Sequence, residues 1–371
     1  MSQQDTDRER EPEQIAAGTE QFVERLFTSA SGAMDIYTVY VGDRLGFYDA
    51  LAGAASLTAS ELAERTDTHE RYVREWLEQQ AVAGILAVDD EGAPAEERRF
   101  SLPPGYAEPL TDPDSLAYVA PLAQAFVGAA SPVEDVVEAF RTGGGVPFEA
   151  YGRDLHEGQG RMNRPLFLHL LGEEWIPTIS DVDERLRREG ARVADVGCGH
   201  GYSAIGIAQS YPNVSVDGFD ADGASVAAAR ANVAEAGLTA RVTIHHRDAG
   251  DASIEGEYDL VTAFECIHDM SDPVGVLTTM RRLAGEEGTV LVMDERVADE
   301  FRVGDESFDW FFYGFSVLHC LPVGMADRPS AATGTVMRPE TLRSYADDAG
   351  YSTFEVLPIE NDSFRFYRLD P

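Results

Sequence analysis

The sequence contains no lysine. All 29 of its basic residues are arginine, against 66 acidic ones, and the formal net charge is -37. Clustered cations of the kind that neutralise phosphates are therefore scarce, and a large nucleic-acid footprint is not expected. The acid is spread along the whole chain rather than gathered in one stretch. It reads as a solvated surface suited to high salt, where screening makes dense like charge tolerable; an acidic face for a cationic partner is the alternative. Cysteine is also scarce. Cys198, Cys266 and Cys320 form no CxxC pair and no metal-ligand spacing, so neither a disulfide framework nor a metal site is expected, and a reducing, cytoplasmic compartment is the default. No apolar run reaches about 18 residues and the start, Met1 to Gln14, is polar, so neither a membrane span nor a secretory leader is expected.

What is present is enough for a sizeable core. Hydrophobic residues make up 44% of 371, and that length suggests about two domains. Residues 1–15 are charged and read as a disordered tail. Residues 16–110 read as helix, short helix, long helix and hairpin, which is a winged-helix pattern. Phe22, Leu26, Met34, Tyr37 and Leu45 mark the first helices, Thr58 or Ser60 caps the short one, and Tyr72, Val73, Trp76 and Leu77 fall on helical spacing in the long one. Ile85–Val88 and Arg99–Leu102 flank an Asp/Glu/Gly/Pro turn. Residues 58–103 hold eleven acids and five arginines, so this module is expected to dimerise or to cover substrate rather than to read DNA. Residues 111–190 read as a helical connector broken at Pro113, Pro132 and Gly143–Gly145. From 191 to 371, apolar strands alternate with helices and end in a hairpin. The expected fold class is α/β, a Rossmann-like doubly wound sheet with a terminal antiparallel β-hairpin, joined to the mainly α winged-helix domain.

The strongest local signal is Asp195-Val-Gly197-Cys-Gly199-His-Gly201, which follows an apolar strand and opens a helix. Its glycines permit close backbone approach and positive φ. An acid at Asp195 sits poorly beside a pyrophosphate but suits a ligand with an ammonium or sulfonium. Asp220 ends the next strand, where a carboxylate can accept both ribose hydroxyls, as also happens in nicotinamide enzymes. Asp248 ends the third. Three acids at successive strand ends are expected to line one crevice.

On these residues the chain resembles the class I S-adenosylmethionine-dependent methyltransferases over about residues 190–371. With the winged helix and connector, it is similar to small-molecule O-methyltransferases that dimerise through their N-terminal part, and to bacterial and archaeal winged-helix methyltransferases. The surface charge resembles that of halophilic proteins. The resemblance implies S-adenosyl-L-methionine as cofactor. It places Gly197, Gly199 and Gly201 along the ligand, Asp195 near the methionine amino group, Asp220 and Ala221 at the ribose, Asp248 and Ala249 at the adenine edge, and Phe264 beside the cofactor. It also implies a small-molecule acceptor and a homodimer.

Phe264-Glu-Cys-Ile-His268-Asp269 is similar to the segment that holds the catalytic histidine in those enzymes. His268 is the candidate general base, since imidazole takes protons near neutral pH, and Asp294 is the carboxylate expected to orient it. A cap or packing role for His268 is the alternative. The family's second carboxylate falls near Val336 and is missing. Residues 297–335 form an aromatic-rich insertion, read either as a packed or dimer-facing helix or as a wall for an apolar acceptor. His156, His200 and His319 have no nameable partner and read as structural or surface residues. The expected function is methyl transfer to a small, fairly apolar, phenol-like hydroxyl without a metal. Rival readings are C- or N-methylation by proximity, a cofactor-sensing transcriptional regulator, and a nicotinamide-dependent oxidoreductase.

Overall fold

A computed structural model describes the backbone of residues 3–304 and 308–371, and side chains from Ile15 onward. The chain divides into two compact units, Met1–Ala123 and Gln124–Pro371.

The first unit opens with a helix over Gln3–Arg44. This helix takes in Gln3 onward of the stretch expected as a disordered tail, where Gln, Glu and Arg are good helix formers; Met1 and Ser2 lie outside the described residues. Gly46 turns the chain at φ 68 into a helix over Phe47–Ala52. The helix Ala59–Thr66 starts at a capping box, in which the Thr58 hydroxyl accepts from the Glu61 N–H while the Glu61 carboxylate accepts from the Thr58 N–H. Glu70–Val82 follows, and two short antiparallel strands, β1 (Ala87–Val88) and β2 (Phe100–Ser101), form the wing. Phe47, Leu62, Val73, Trp76, Leu77 and Phe100 pack as one core.

In the second unit the helices after Gln124 lead into seven strands: β3 (Arg192–Val196), β4 (Ser215–Asp220), β5 (Val242–His246), β6 (Leu260–Phe264), β7 (Thr289–Glu295), β8 (Thr353–Val356) and β9 (Phe364–Asp370). Their order is β5-β4-β3-β6-β7-β9-β8. The first five are parallel, while β9 runs antiparallel between β7 and β8. The winding reverses at β3, where connections leave toward β4 on one side and β6 on the other, so a crevice opens at the carboxyl ends of these strands. Strands β3, β6 and β7 are buried along almost their whole length, which their near-continuous Val, Ala, Leu and Met content reflects. The connector expected over residues 111–190 belongs mostly to this unit. Phe167, Leu171, Trp175, Ile176, Val182 and Leu186 are apolar on one face and pack into the same core as Val193 and Ile207.

Candidate active site

The loop after β3 carries three glycines with positive φ: Gly197 at 66°, Gly199 at 48° and Gly201 at 77°. At Gly197 a Cβ would lie 2.7 Å from the Cys266 Sγ, so only glycine fits, whereas beside Gly199 nothing lies within 4 Å of the Cβ position. Backbone thus borders open space at Gly199, and Gly201 starts the Tyr202–Ser210 helix. The Asp220 carboxylate lies beneath, with Oδ2 accepting the Gly199 N–H and Oδ1 the Asp222 N–H, both at 2.8 Å. Burial raises its pKa, and each oxygen keeps a lone pair. Ala221 follows, its carbonyl 2.9 Å from the His246 Nε2. Asp248 is exposed, with Oδ1 accepting from the Gly250 N–H.

The expected meeting of three carboxylates is corrected at Asp195. It is 1% exposed, and its oxygens accept from the Ser203 hydroxyl at 2.5 Å and the Thr262 hydroxyl at 2.7 Å. Burial pushes its pKa up to about 6. These bonds tie β3 to β6 and to the helix after the loop. Phe264 also turns inward, since its ring is 7% exposed and lies 5.5 Å from that of Phe167. Ala249 is buried against the core that contains Phe219 and Val276, so it can face a ligand only through its backbone. The residues present nonetheless fit the nucleoside part of the implied cofactor. The open backbone at Gly199 and an acid with free lone pairs at the end of β4 supply what a ribose and its neighbour need.

Beyond β6, the chain makes a tight turn over Ile267–Asp269 that presents His268. Its Nδ1 lies 2.9 and 3.0 Å from the two Asp294 oxygens and 3.2 Å from the Glu295 Oε2. Its Nε2 lies 3.3 Å from the Asp269 Oδ1. His268 is 2% exposed and Asp294 0%. Burial alone would lower the His268 pKa, but Asp294, Glu295 and Asp269 outweigh it and hold it well above its ordinary value. Burial likewise raises Glu295 well above the carboxylate range. It raises Glu265 to about 7, with Asp294 adding repulsion.

Sequence reasoning missed Asp269, Glu295 and Glu265, although each adjoins a residue it singled out. Together they surround His268 with acid that the absent carboxylate at Val336 does not supply. Glu265 is also strained, at φ 52, a value no sequence signal reveals. Cys320 was missed for another reason. It arrives from the insertion and offers its sulfur within 4.8 Å of His268 and Asp269, and a second set, His268, Asp294 and Glu295, meets the same limit.

The aromatic insertion forms a helix over Asp309–Phe315 that runs into a π-helical turn over Ser316–Cys320. Phe311 and Phe315 pack on Phe126 at 5.9 and 5.3 Å, whereas Phe301, Phe308 and Trp310 stand exposed. His156 is not a surface residue. It stacks on Phe148 at 4.1 Å, and its Nε2 lies 3.1 Å from that residue's carbonyl. His200 is half-buried, and burial lowers its pKa.

Residues 187–320 match a family of methyltransferase domains, and residues 33–112 match the Rv2258c-like winged helix-turn-helix domain. The fold, the glycine loop and this match define an S-adenosylmethionine-dependent methyltransferase. This chain joins that domain to an Rv2258c-like winged helix-turn-helix module. It is 30% identical over 119 residues to the polyketide synthase ThaQ of Burkholderia thailandensis, covering 32% of this chain but only 6% of that protein. It is 26% identical over 190 residues to the ubiquinone biosynthesis O-methyltransferase of Pseudomonas paraeruginosa, covering 51% of this chain and 76% of that one. Among solved structures, the mitomycin 7-O-methyltransferase MmcR superposes with a TM-score of 0.70 at 20% identity, over 96% of this chain and 99% of that one, which shows a shared fold.

Proposed function

We propose that the chain transfers the methyl of S-adenosylmethionine to the hydroxyl of a small, fairly apolar, phenol-like acceptor, with His268 as general base and Asp294 as its positioning carboxylate. The observation that carries this reading is the bidentate approach of Asp294 to the His268 Nδ1 at 2.9 and 3.0 Å. That pairing holds Nδ1–H toward Asp294 and leaves Nε2, 3.3 Å from the Asp269 Oδ1, as the nitrogen that takes the proton when the ring is neutral. When bound, S-adenosylmethionine supplies an electrophilic methyl on a positive sulfur. The chain's residues do the rest: Asp220 and the Gly197–Gly201 loop hold the nucleoside, and Nε2 takes the hydroxyl proton as the oxygen becomes nucleophilic. The ubiquinone-pathway relative is named for O-methylation, which supports oxygen as the acceptor atom. Replacing His268 by Gln should slow single-turnover methyl transfer roughly 10²–10³-fold while S-adenosylhomocysteine affinity stays within threefold. Near-normal transfer by that variant removes the base role.

A second reading, N- or C-methylation by proximity, has one observation in its favour. The His268 Nε2 faces Asp269 at 3.3 Å, and the imidazole holds its proton tightly. The same variant separates the two readings. A cofactor-sensing regulator is disfavoured by the acid of the winged module.

We further propose a homodimer through the N-terminal module, in a cytoplasm of high salt. The Gln3–Arg44 helix leaves Phe22, Leu26, Phe27 and Met34 exposed at 58, 59, 72 and 63% on neighbouring turns, a stripe that a second copy would cover. No helix among the described residues is long and apolar enough to cross a membrane. Sedimentation through a potassium chloride series checks both ideas. A dimer in molar salt that survives Phe27→Glu discards the interface, and a melting temperature that fails to rise with salt discards the salt reading.

A further inference from the structure

We infer that the turn after β6 and the π-helical turn of the insertion build a site for one divalent transition-metal ion of the zinc class, held by the His268 Nε2, the Asp269 Oδ1 and the Cys320 Sγ. Imidazole nitrogen, carboxylate oxygen and thiolate are the donors that borderline-soft ions of this class select over magnesium or calcium. The three donor atoms lie within 4.8 Å of one another. Nε2 and Oδ1 are 3.3 Å apart, and yet the Oδ1 is buried and makes no hydrogen bond, so the pair is close without being aligned for a proton between them. A tetrahedral ion with bonds of about 2.0 Å to nitrogen and oxygen sets those two ligands about 3.3 Å apart. The two atoms therefore already have the spacing of two corners of such a polyhedron, and the sulfur of Cys320, 4% exposed, lies within 4.8 Å of both.

The surroundings have the form such sites take. The other nitrogen of His268 faces Asp294 at 2.9 and 3.0 Å, the carboxylate–histidine pairing that orients metal-bound imidazoles. This pairing also decides between the two donor sets around His268, because the set containing Asp294 and Glu295 would have to break it to use Nδ1. Behind Cys320, the His319 Nδ1 lies 3.3 Å from the sulfur and can donate to a thiolate. The cysteine is delivered by Ser316–Cys320, a π-helical segment, and such segments recur at functional sites. Four buried or half-buried carboxyl groups (Glu265, Asp269, Asp294 and Glu295) gather around His268, and a divalent cation at Asp269 would be held in acidic surroundings.

Three protein ligands leave a fourth position open. An ion there would occupy the nitrogen lone pair that takes the acceptor's proton, so free zinc would act as an inhibitor and a chelator would restore transfer. The inhibition rests on His268 being the base; the binding does not. Cobalt(II) reports the two separately, since a thiolate ligand gives an intense near-ultraviolet charge-transfer band and tetrahedral coordination gives strong visible bands. The full chain, stripped with chelator and mixed with cobalt chloride without acceptor, should show both bands, saturating at one equivalent. Cys320→Ser should lose the thiolate band, and Asp269→Asn should weaken binding at least tenfold, with S-adenosylhomocysteine affinity as the check that each variant is folded. No thiolate band in the unaltered chain overturns the site, and so does a band that persists in folded Cys320→Ser. Should His268→Gln transfer methyl normally in chelator while the cobalt bands of the unaltered chain stand, the base reading falls and the metal site remains.

Discussion

Two places on the same carboxyl edge of the sheet are built by opposite means. Over β3 and β4, the acid is satisfied by backbone: Asp220 takes the N–H groups of Gly199 and Asp222, each at 2.8 Å. Past β6 and β7, acid faces acid. His268 is surrounded by Glu265, Asp269, Asp294 and Glu295, and Glu265, Asp269 and Glu295 each keep a buried oxygen without a hydrogen bond. A site tied down by peptide groups is stiff and costs little to keep, because every buried polar atom has its partner. One built from like charges is expensive, and the fold bears that cost where a proton or a cation is handled. On the function proposed above, the first place holds a ligand of fixed shape and the second does the chemistry.

The sharpest way to break this contrast is to remove the one charge that the His268 pocket uses for orientation. Asp294→Asn keeps the shape but cancels the carboxylate. It should cut single-turnover transfer by roughly 10²–10³ while nucleoside affinity changes little. With that carboxylate gone the His268 pKa drops, so the residual rate should reach its plateau at lower pH than in the unaltered chain. A variant that transfers within threefold of the unaltered rate would mean that the pocket's charges are structural.

The converse change belongs to the nucleoside end and should be smaller. Gly197→Ala places a Cβ at φ 66, 2.7 Å from the Cys266 Sγ. Left-handed backbone costs an alanine about 1–2 kcal/mol, and the loop must also shift. S-adenosylhomocysteine affinity should fall roughly 30-fold, as read by calorimetry, with the methyl-transfer rate at saturating cofactor nearly kept. If affinity holds and the rate collapses instead, the division of labour drawn here is reversed.

The difference between the two ends also explains what was legible in the sequence. The alternation of strands and helices, the glycine loop and Asp220 are local, each carried by a run of a few neighbouring residues whose backbone demands are visible in residue type. His268 stood out because it follows an apolar strand in a segment similar to the one that holds the family's catalytic histidine, and Asp294 because it lies at the end of the next apolar strand. Burial direction was not legible. Asp195 and Phe264 sit at strand ends where either face is available, and only the packing of Ser203, Thr262 and Phe167 shows that both turn inward. Nor was Cys320, which lies 52 residues beyond His268 in an insertion whose path no periodicity predicts. The connector misled for a related reason. Phe167 to Leu186 reads as a generic amphipathic stretch, and nothing in it says which core receives its apolar face.

The last expected effect, on stability rather than on transfer, tests whether the acid of the His268 pocket is held at a cost. Burial raises Glu265 to about 7 in the folded chain, against an ordinary carboxylate value in the unfolded one. The folded state therefore binds the proton more tightly, and the stability this lends is fully present below about pH 4 and is lost as pH rises toward 7. Glutamine matches the protonated acid in shape and never ionises. Glu265→Gln should thus melt within a degree of the unaltered chain at pH 4.5 and roughly 7–14 °C above it at pH 8, the shift expected for one strained ionisation of this size in a unit of this length. Equal melting temperatures at both pH values would show that Glu265 ionises freely, and the charge crowding around His268 would be milder than its geometry implies.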